Sequence, residues 1–383
     1  MTTTAFKVPF VALGQATQEV KKELMAAVEE VLDSGMYVLG PEGSELEIEF
    51  AKLCDAKFAA GIATGTCVLH LVLRQFGLGE GDEVITVPNS FIATASTIAL
   101  VGAQPVFIDI QSDLNMDPGL IEEAITPRTK AIVPVHLTGR PAKMQQILEI
   151  AERHNLFVLE DAAQAIGTKL DGKSVGSWGD AACFSLHPLK NIHVFGDGGM
   201  MTTRDEDWAE RLRLLAAHGM SPRYFHKVVG INSRLDSIQA AAVNVKLSRL
   251  EQWTAQRQAH AGRYAQLFAD VGLQEVLTLP TESEGCRHVW NQYTIRVPET
   301  RRDALRAYLT GKGVGSEVYY PCPLHLQECF QEMGFGAGSL PESERAAQEV
   351  LSLPIFPGLT VDEQQVVVGR IAEFYGARQA NAA

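Results

Sequence analysis

The residues best suited to chemistry lie in one stretch. It is Ala182-Cys183-Phe184-Ser185-Leu186-His187-Pro188-Leu189-Lys190-Asn191, continuing to Gly196-Asp197-Gly198-Gly199. An apolar, strand-like run ends in small and polar residues, one lysine follows in a turn, and a glycine cluster comes after it. Pro188 disfavours helix at His187. The glycines let the backbone take positive φ or approach something closely. A lysine held this way, with the Ser185 hydroxyl five positions earlier, can form a Schiff base beside a bound phosphate. The same pattern also suits a surface lysine in a strand-to-loop turn, because lysines are mostly exposed.

Two further positions bear on that choice. Asp161 closes the apolar run Phe157-Val158-Leu159-Glu160-Asp161 and precedes Ala162-Ala163-Gln164. A carboxylate there is buried or nearly so, and needs a cationic or hydrogen-bond-donor partner. It is either a partner for a protonated ring nitrogen or a helix N-cap. Thr64-Gly65-Thr66 sits between an apolar strand (Ala59 to Ala63) and an amphipathic helix (Cys67 to Phe76). That geometry offers backbone N–H groups to a phosphate. It also describes an ordinary N-cap built from Thr64 or Thr66. No Gly-Lys-Ser/Thr follows, so it is not a Walker loop.

The elements that must position these residues form an α/β pattern. Strands are expected at 59–63, 83–87, 105–110, 131–136, 156–160, 181–185 and 200–203. Helices are expected between most of them, at 93–101, 118–124 and 142–154. Such alternation predicts a mostly parallel sheet covered on both faces. Ligands of such sheets bind at the carboxyl ends of the strands. That edge carries Thr64 to Thr66, Asn89 to Phe91, His136, Asp161 to Gln164 and Ser185 to Lys190.

Before the sheet, helical periodicity covers 18–34, closed by Gly35, and 42–53. After it come a helix over 206–217, an irregular stretch to Ile231, and one long helix from Ser237 to about Phe268 that bridges two domains. Near residue 280 a smaller α+β unit begins. It has strands at 292–297 and 316–320, helices at 301–310 and 362–375, and frayed final residues. The segment Tyr319-Tyr320-Pro321-Cys322-Pro323-Leu324-His325 is too proline-rich for a central strand and reads as an edge or loop. The expected division is a large domain over 1–250, including the N-terminal helical segment, and a small C-terminal α+β domain over 251–383.

Composition narrows the function. The 383 residues carry a net charge of -13, which argues against general nucleic-acid binding. No apolar run approaches the ~20 residues of a membrane helix. The N-terminal residues lack the pattern of a signal peptide. Six cysteines without a C-x-x-C pair read as reduced thiols, so a cytoplasmic protein is expected. His136, His187, His193 and His325 fall at no recognised metal-ligand spacing, so no metal is expected. Gly196 to Gly199 does not make a dinucleotide-binding fingerprint.

Several linked motifs, in order, resemble the DegT/DnrJ/EryC1/StrS sugar aminotransferases. They are Thr64-Gly65-Thr66, Asn89-Ser90-Phe91-Ile92-Ala93-Thr94, Glu160-Asp161-Ala162-Ala163-Gln164, Ser185 to Asn191, Gly196-Asp197-Gly198-Gly199, Asn232-Ser233-Arg234-Leu235-Asp236, and Tyr320-Pro321 with Leu324-His325. The resemblance runs from about Gly35 to Tyr375. It implies the type I fold of pyridoxal-phosphate-dependent transferases (the aspartate aminotransferase-like fold) and pyridoxal 5'-phosphate as cofactor. By resemblance, Lys190 forms the Schiff base and later moves the substrate proton. Asp161 pairs with the pyridine nitrogen, which keeps the ring an electron sink. Gln164 lies near the ring's phenolic oxygen, and Phe91 stacks on the ring face. Gly65, Thr66 and Ser185 form the phosphate cradle, and Asn232 reaches the phosphate of a neighbouring subunit, which implies a homodimer with shared active sites.

The implied reaction moves an amino group from an amino acid, usually glutamate or glutamine, to a keto-sugar that is usually nucleotide-linked. Tyr37, His187, Tyr320 and His325 are the substrate contacts the resemblance suggests. Arg223, Lys227 and Arg234 either meet a diphosphate or carboxylate on the sugar or are solvated or interface charges. Three positions depart from the common pattern: Thr64 in place of serine, the proline of Thr86-Val87-Pro88, and Ile192-His193-Val194-Phe195 before the glycines. Other readings are a keto-sugar acid acceptor without a nucleotide, a sugar dehydratase, and a non-catalytic relative. The dehydratase branch replaces the lysine by histidine, and Lys190 is present here. The intact set of Lys190, Asp161, Gln164 and Ser185 argues against a non-catalytic relative.

Overall fold

The computed structural model describes residues 7–298 and 300–377. A seven-stranded sheet is its centre. Its strands are β1 (Phe58–Ile62), β2 (Glu83–Thr86), β3 (Gln104–Phe107), β4 (Thr129–Ile132), β5 (Phe157–Asp161), β6 (Ala181–Ser185) and β7 (Gly199–Thr203). The spatial order is β1-β7-β6-β5-β4-β2-β3. Strands β3, β2, β4, β5 and β6 run parallel, and β7 lies antiparallel between β6 and β1. The expected α/β class with a mostly parallel, mixed sheet is therefore the observed one.

The central strands read as continuous apolar runs because both of their faces are covered. Side chains alternate in direction along each strand. In β6, Ala182 and Phe184 enter one core with Phe50, Leu46 and Trp253. Ala181 and Cys183 enter the opposite core with Leu69, Val72 and Leu212. Helices Lys21–Ser34, Pro41–Leu53 and Ser237–Leu247 contribute to the first core, and Gly65–Phe76 and Glu206–Ala216 to the second.

The second unit holds the antiparallel pair β8 (Tyr293–Arg296) and β9 (Val350–Leu353). Around it lie helices Leu250–Asp270, Arg301–Gly311 and Val361–Tyr375, with Tyr264, Tyr293 and Phe268 buried among them. Val8 packs into this same core and bridges Val314, so the residues around Val8 belong with the C-terminal unit.

The placement of Val8 departs from the expected large domain over 1–250, and three further expectations differ from the structure. The long helix from Ser237 is two helices, Ser237–Leu247 and Leu250–Asp270. The Ser248 hydroxyl bonds back to Val245 O at 2.8 Å, a local competitor for a helical carbonyl. Residues 316–320 form no strand. Only Glu317 bridges to Ser352, and prolines follow directly. Strand β9 was not foreseen, because it follows helix Pro341–Glu349 with no turn residue between them. The C-terminal residues expected to fray lie outside the described residues.

The topology brings the chemistry to one edge. Strands β1, β5 and β6 end there, and the antiparallel β7 begins there, so Ser185 pairs with Gly199 and Ile62 pairs with the same glycine. A Cβ on Gly199 would come within 2.5 Å of Thr64 C and 2.7 Å of Gly65 N. Gly199→Ala should therefore shift the Thr64–Thr66 turn and destabilise the protein by about 1–3 kcal/mol. The check is the midpoint of guanidinium unfolding, which should fall with an unchanged slope; an unchanged midpoint would contradict the close packing.

Candidate active site

A cleft of about 630 Å³ opens at the carboxyl edge of the sheet. It is lined by Thr64, Gly65, Thr66, Phe91, Asp161, Gln164, Ser185, His187, Lys190 and Tyr320, which brings together most of the residues singled out from the sequence. The second unit closes it through Gln292, Tyr319 and Tyr320.

The turn after β1 becomes the N-terminus of helix Gly65–Phe76. Thr64 caps it, its Oγ1 accepting from Cys67 N–H at 2.9 Å. The threonine in place of serine keeps this cap, since both carry the hydroxyl it needs. A Cβ on Gly65 would lie 3.0 Å from Ser185 Cβ. Gly65 thus lets the helix N-terminus and the end of β6 approach closely enough to share one anion.

Asp161 ends β5 and is 5% exposed. Its Oδ2 accepts from Thr94 Oγ1 at 2.7 Å, and its Oδ1 from Ala163 N–H at 3.2 Å. Burial pushes its carboxyl up, opposed by the Thr94 and Ala163 hydrogen bonds and by the charges of Lys190 and His136. It is not a helix N-cap, since residues 162–168 form turns and no helix begins there.

Lys190 sits in the turn after β6, where its N–H donates to His187 O at 2.9 Å. Burial lowers its pKa to about 8, against the pull of Asp161. Among the described residues its amine has no hydrogen-bond partner within the chain and forms no direct ion pair with Asp161. The loop beyond it is clamped. Asn191 Nδ2 donates to Val289 O at 2.9 Å, and the backbone of Phe195 exchanges two bonds with the Gln239 amide. Lys246, fully buried, donates to His193 O at 2.7 Å and lies 4.2 Å from the centre of the Phe195 ring. The unusual residues 192–195 are thus the anchor of the lysine loop.

Gln164 Oε1 accepts from Thr138 N–H at 2.8 Å, and its Nε2 donates to Tyr320 OH at 3.3 Å. Its carboxamide is therefore fixed in direction. Phe91 is 56% exposed, with its ring 6.2 Å from that of Tyr320, so an apolar face is free beside Asp161. The displaced proline of Thr86-Val87-Pro88 is accommodated because Pro88 serves only as an acceptor, from Leu324 N–H at 2.9 Å.

Two expected substrate contacts are placed elsewhere. His325 is fully buried, with Nε2 3.1 Å from Glu344 and its ring among Phe107 and Phe335. It does not reach the cleft, because residues 324–326 turn inward into an apolar core. Tyr37 is 51% exposed and does not line the cleft of its own chain. His187 is at the cleft but exposed, its Nδ1 accepting from Leu189 N–H. Asn232 also lies outside this cleft, its Oδ1 accepting from Arg234 at 2.8 Å. Arg223 packs over Tyr224 on the exposed 218–231 segment. Sequence reasoning gave no role to Thr94, Ser90, Thr138 or Gln292. For Thr94, a hydroxyl inside an apolar helix start was the available signal.

The donor set fits a phosphorylated aldehyde ring. An anion cradle, a buried carboxylate without a bound cation, a free amine of lowered pKa and an exposed aromatic face surround one cleft. The family described as the DegT/DnrJ/EryC1/StrS aminotransferase family matches residues 18–372. Over 369 residues, the chain is 47% identical to a pleiotropic regulatory protein of Geobacillus stearothermophilus (96% of this chain, 98% of the other). It is 42% identical to the dTDP-3-amino-3,4,6-trideoxy-alpha-D-glucose transaminase of Streptomyces venezuelae (96% of each chain). The crystal structure of S. venezuelae DesV in complex with a ketimine intermediate superposes with a TM-score of 0.92 at 41% identity. The match covers 97% of this chain and 99% of that one.

A lowered Lys190 pKa means that the free amine appears at lower pH than on an exposed lysine. Labelling of the cofactor-free protein with trinitrobenzenesulfonate, mapped by peptide, should rise at Lys190 through a midpoint near pH 8. Surface lysines should rise near the ordinary value of about 10.4. A Lys190 midpoint at that ordinary value would show that the cleft does not desolvate the amine.

Proposed function

The chain belongs to the DegT/DnrJ/EryC1/StrS aminotransferase family, and on that premise we propose that Lys190 holds pyridoxal phosphate and serves transfer of an amino group from glutamate to a nucleotide-linked keto-sugar. Pyridoxal phosphate is the cofactor of this family and aminotransfer its chemistry. The observation that carries the assignment to this cleft is the convergence of Lys190, Asp161, Gln164 and the Gly65–Thr66 turn on one cavity. The nucleotide-linked acceptor rests on the name of the Streptomyces transaminase. The regulatory name of the Geobacillus relative does not displace the enzyme reading, because every group the chemistry needs is present here.

In the mechanism the bound cofactor supplies an electron sink for the charge left at the carbon that loses a proton. The protein's part follows from its own groups. Gly65, Thr66 and Ser185 hold the phosphate through the helix N-terminus and a hydroxyl. Asp161, kept from solvent, holds a proton on the ring nitrogen, since its negative charge favours the protonated form. Gln164 presents its fixed amide toward the ring's oxygen, and Phe91 covers the ring face. Lys190, once its amine is free, would move the proton from the amino donor's α-carbon to the cofactor carbon that keeps the amino group. A base with pKa about 8 is matched to neutral-pH proton transfer.

The active unit is a homodimer that shares its sites, and the enzyme is cytoplasmic. Support for sharing comes from Asn232, which does not line its own cleft, and from exposed apolar side chains at Met36, Tyr37, Leu39, Phe195, Tyr224 and Phe225. Tyr37 and Asn232 would then act on the partner's cleft.

Purified protein with pyridoxal phosphate, glutamate and nucleotide-linked keto-sugars should yield 2-oxoglutarate and an amino sugar. Lys190→Ala should abolish turnover while the protein stays folded. Asp161→Asn should lower kcat/KM by about 100-fold or more, the scale on which a preorganised charge acts. Wild-type turnover in either variant would contradict the assigned roles. Mixing Lys190→Ala with Asn232→Ala should restore part of the activity in hybrid dimers, and no recovery would contradict shared sites.

A further inference from the structure

Asp161 Oδ2 is the end of a short chain of hydroxyls. Thr94 Oγ1 lies 2.7 Å from it, and Ser90 Oγ lies 2.7 Å from Thr94 Oγ1. All three side chains are buried. The polarity of the chain follows from valence. An ionised carboxylate only accepts, so Thr94 gives its single O–H to Asp161. Ser90 must then donate to the Thr94 oxygen.

Neither hydroxyl serves helix Ile92–Leu100, which carries Thr94 and which Ser90 precedes. Thr97, three residues on in helix Ile92–Leu100, bonds back to Ala93 O at 2.8 Å, the usual fate of a buried helical threonine. Thr94 turns away from its own helix instead. The N-cap of that helix, Phe91, receives no side-chain bond, so Ser90 is not used for capping.

The other groups facing Asp161 cannot replace this donor. Ala163 N–H occupies Oδ1. His136 Nδ1 accepts from Ala142 N–H and its Nε2 faces Glu160, so both ring nitrogens are engaged elsewhere. Lys190 and Cys183 approach from β6 and its turn, and Tyr320 from the second unit, each without a hydrogen bond to Asp161. Cys183 Sγ instead donates to Gly65 O at 3.1 Å. Thr94 is therefore the one side-chain donor to the carboxylate among the described residues, and it is the strongest influence opposing the upward push of burial.

We propose that Ser90 and Thr94 form a two-hydroxyl relay that fixes Asp161 Oδ2 and leaves the remaining carboxylate lone pairs for the cofactor's ring nitrogen. Both are positioning residues, acting through Asp161, and the proposal rests on the reading of Asp161 given above. Each hydroxyl polarises the next, so the relay holds the carboxylate more firmly than Thr94 alone would. Its consequence is a cofactor whose ring proton, and hence its retention and spectrum, depends on two residues that need not touch it.

The test uses pyridoxal-phosphate-loaded wild type and four variants: Thr94→Val, Thr94→Ser, Ser90→Ala and the double Ser90→Ala/Thr94→Val. The readouts are the rate of cofactor loss on dilution and the pH dependence of the cofactor absorption spectrum, with thermal melting as a folding control. Thr94→Val should lose cofactor about 10- to 100-fold faster, the range for a hydrogen bond to a charged group. Its spectral transition should move by about one pH unit. Thr94→Ser should stay within about threefold of wild type, and Ser90→Ala should show a smaller loss of a few-fold. The double variant should be no worse than Thr94→Val, because a relay broken at Thr94 no longer transmits Ser90.

Wild-type retention and spectrum in Thr94→Val, or a Ser90→Ala effect that adds in full to Thr94→Val, would overturn the relay. Should Thr94→Val fail to fold, Ser90→Ala decides: faster loss beside a near-wild-type Thr94→Ser supports the relay, and no change overturns it. Wild-type protein that takes up no cofactor at Lys190 would refute the reading of the site itself, which separates the two failures.

Discussion

The site depends on two opposite charges, a buried carboxylate and a half-buried amine, held in one cleft without pairing directly. Burial drives Asp161 toward its protonated form and Lys190 toward its free amine, and each charge partly restrains the shift of the other. Direct pairing would tie up both groups. Their separation leaves a carboxylate to hold a ring proton and an amine to carry a substrate proton. The backbone at Ala163 and the hydroxyl of Thr94 keep Asp161 charged without spending Lys190 on it. The chemistry is thus set by what is withheld from each group as much as by what contacts it.

The fold makes this arrangement inexpensive. Parallel strands end at one edge, and strands β5 and β6 are neighbours, so Asp161 and Ser185 need no loop excursion to converge. The antiparallel β7 starts at that edge, which lets Gly199 and Gly65 bring the helix N-terminus against the end of β6. Lys190 sits on a loop, and that loop is pinned by Lys246, Gln239 and the carbonyl of Val289. Lys246 has no carboxylate partner among the described residues, and burial lowers its pKa to about 8. Its ammonium is held instead by a carbonyl and the face of Phe195.

Much of this was legible in the sequence because the relevant signals are local. Alternating apolar runs with polar carboxyl ends located the seven strands, and Thr64-Gly65-Thr66, Asp161 and Lys190 each stood at such an end. What was illegible depends on tertiary direction. His325 carries the same local sequence whether its ring faces substrate or the Phe107 cluster, and here it faces the cluster. Gln292 reaches the cleft only because the second unit folds back against the sheet, and Thr138 enters only through its backbone N–H to Gln164. The break at Ser248, where the hydroxyl bonds back to Val245 O, hides inside an unbroken helical periodicity.

The central claim is that Lys190 is the amine that captures the cofactor. Its most direct test is borohydride reduction of the purified protein after addition of pyridoxal phosphate, followed by peptide mass mapping. The account predicts a phosphopyridoxyl group on Lys190, at one per chain. Absence of label, or label spread over surface lysines with Lys190 unmodified, would contradict it.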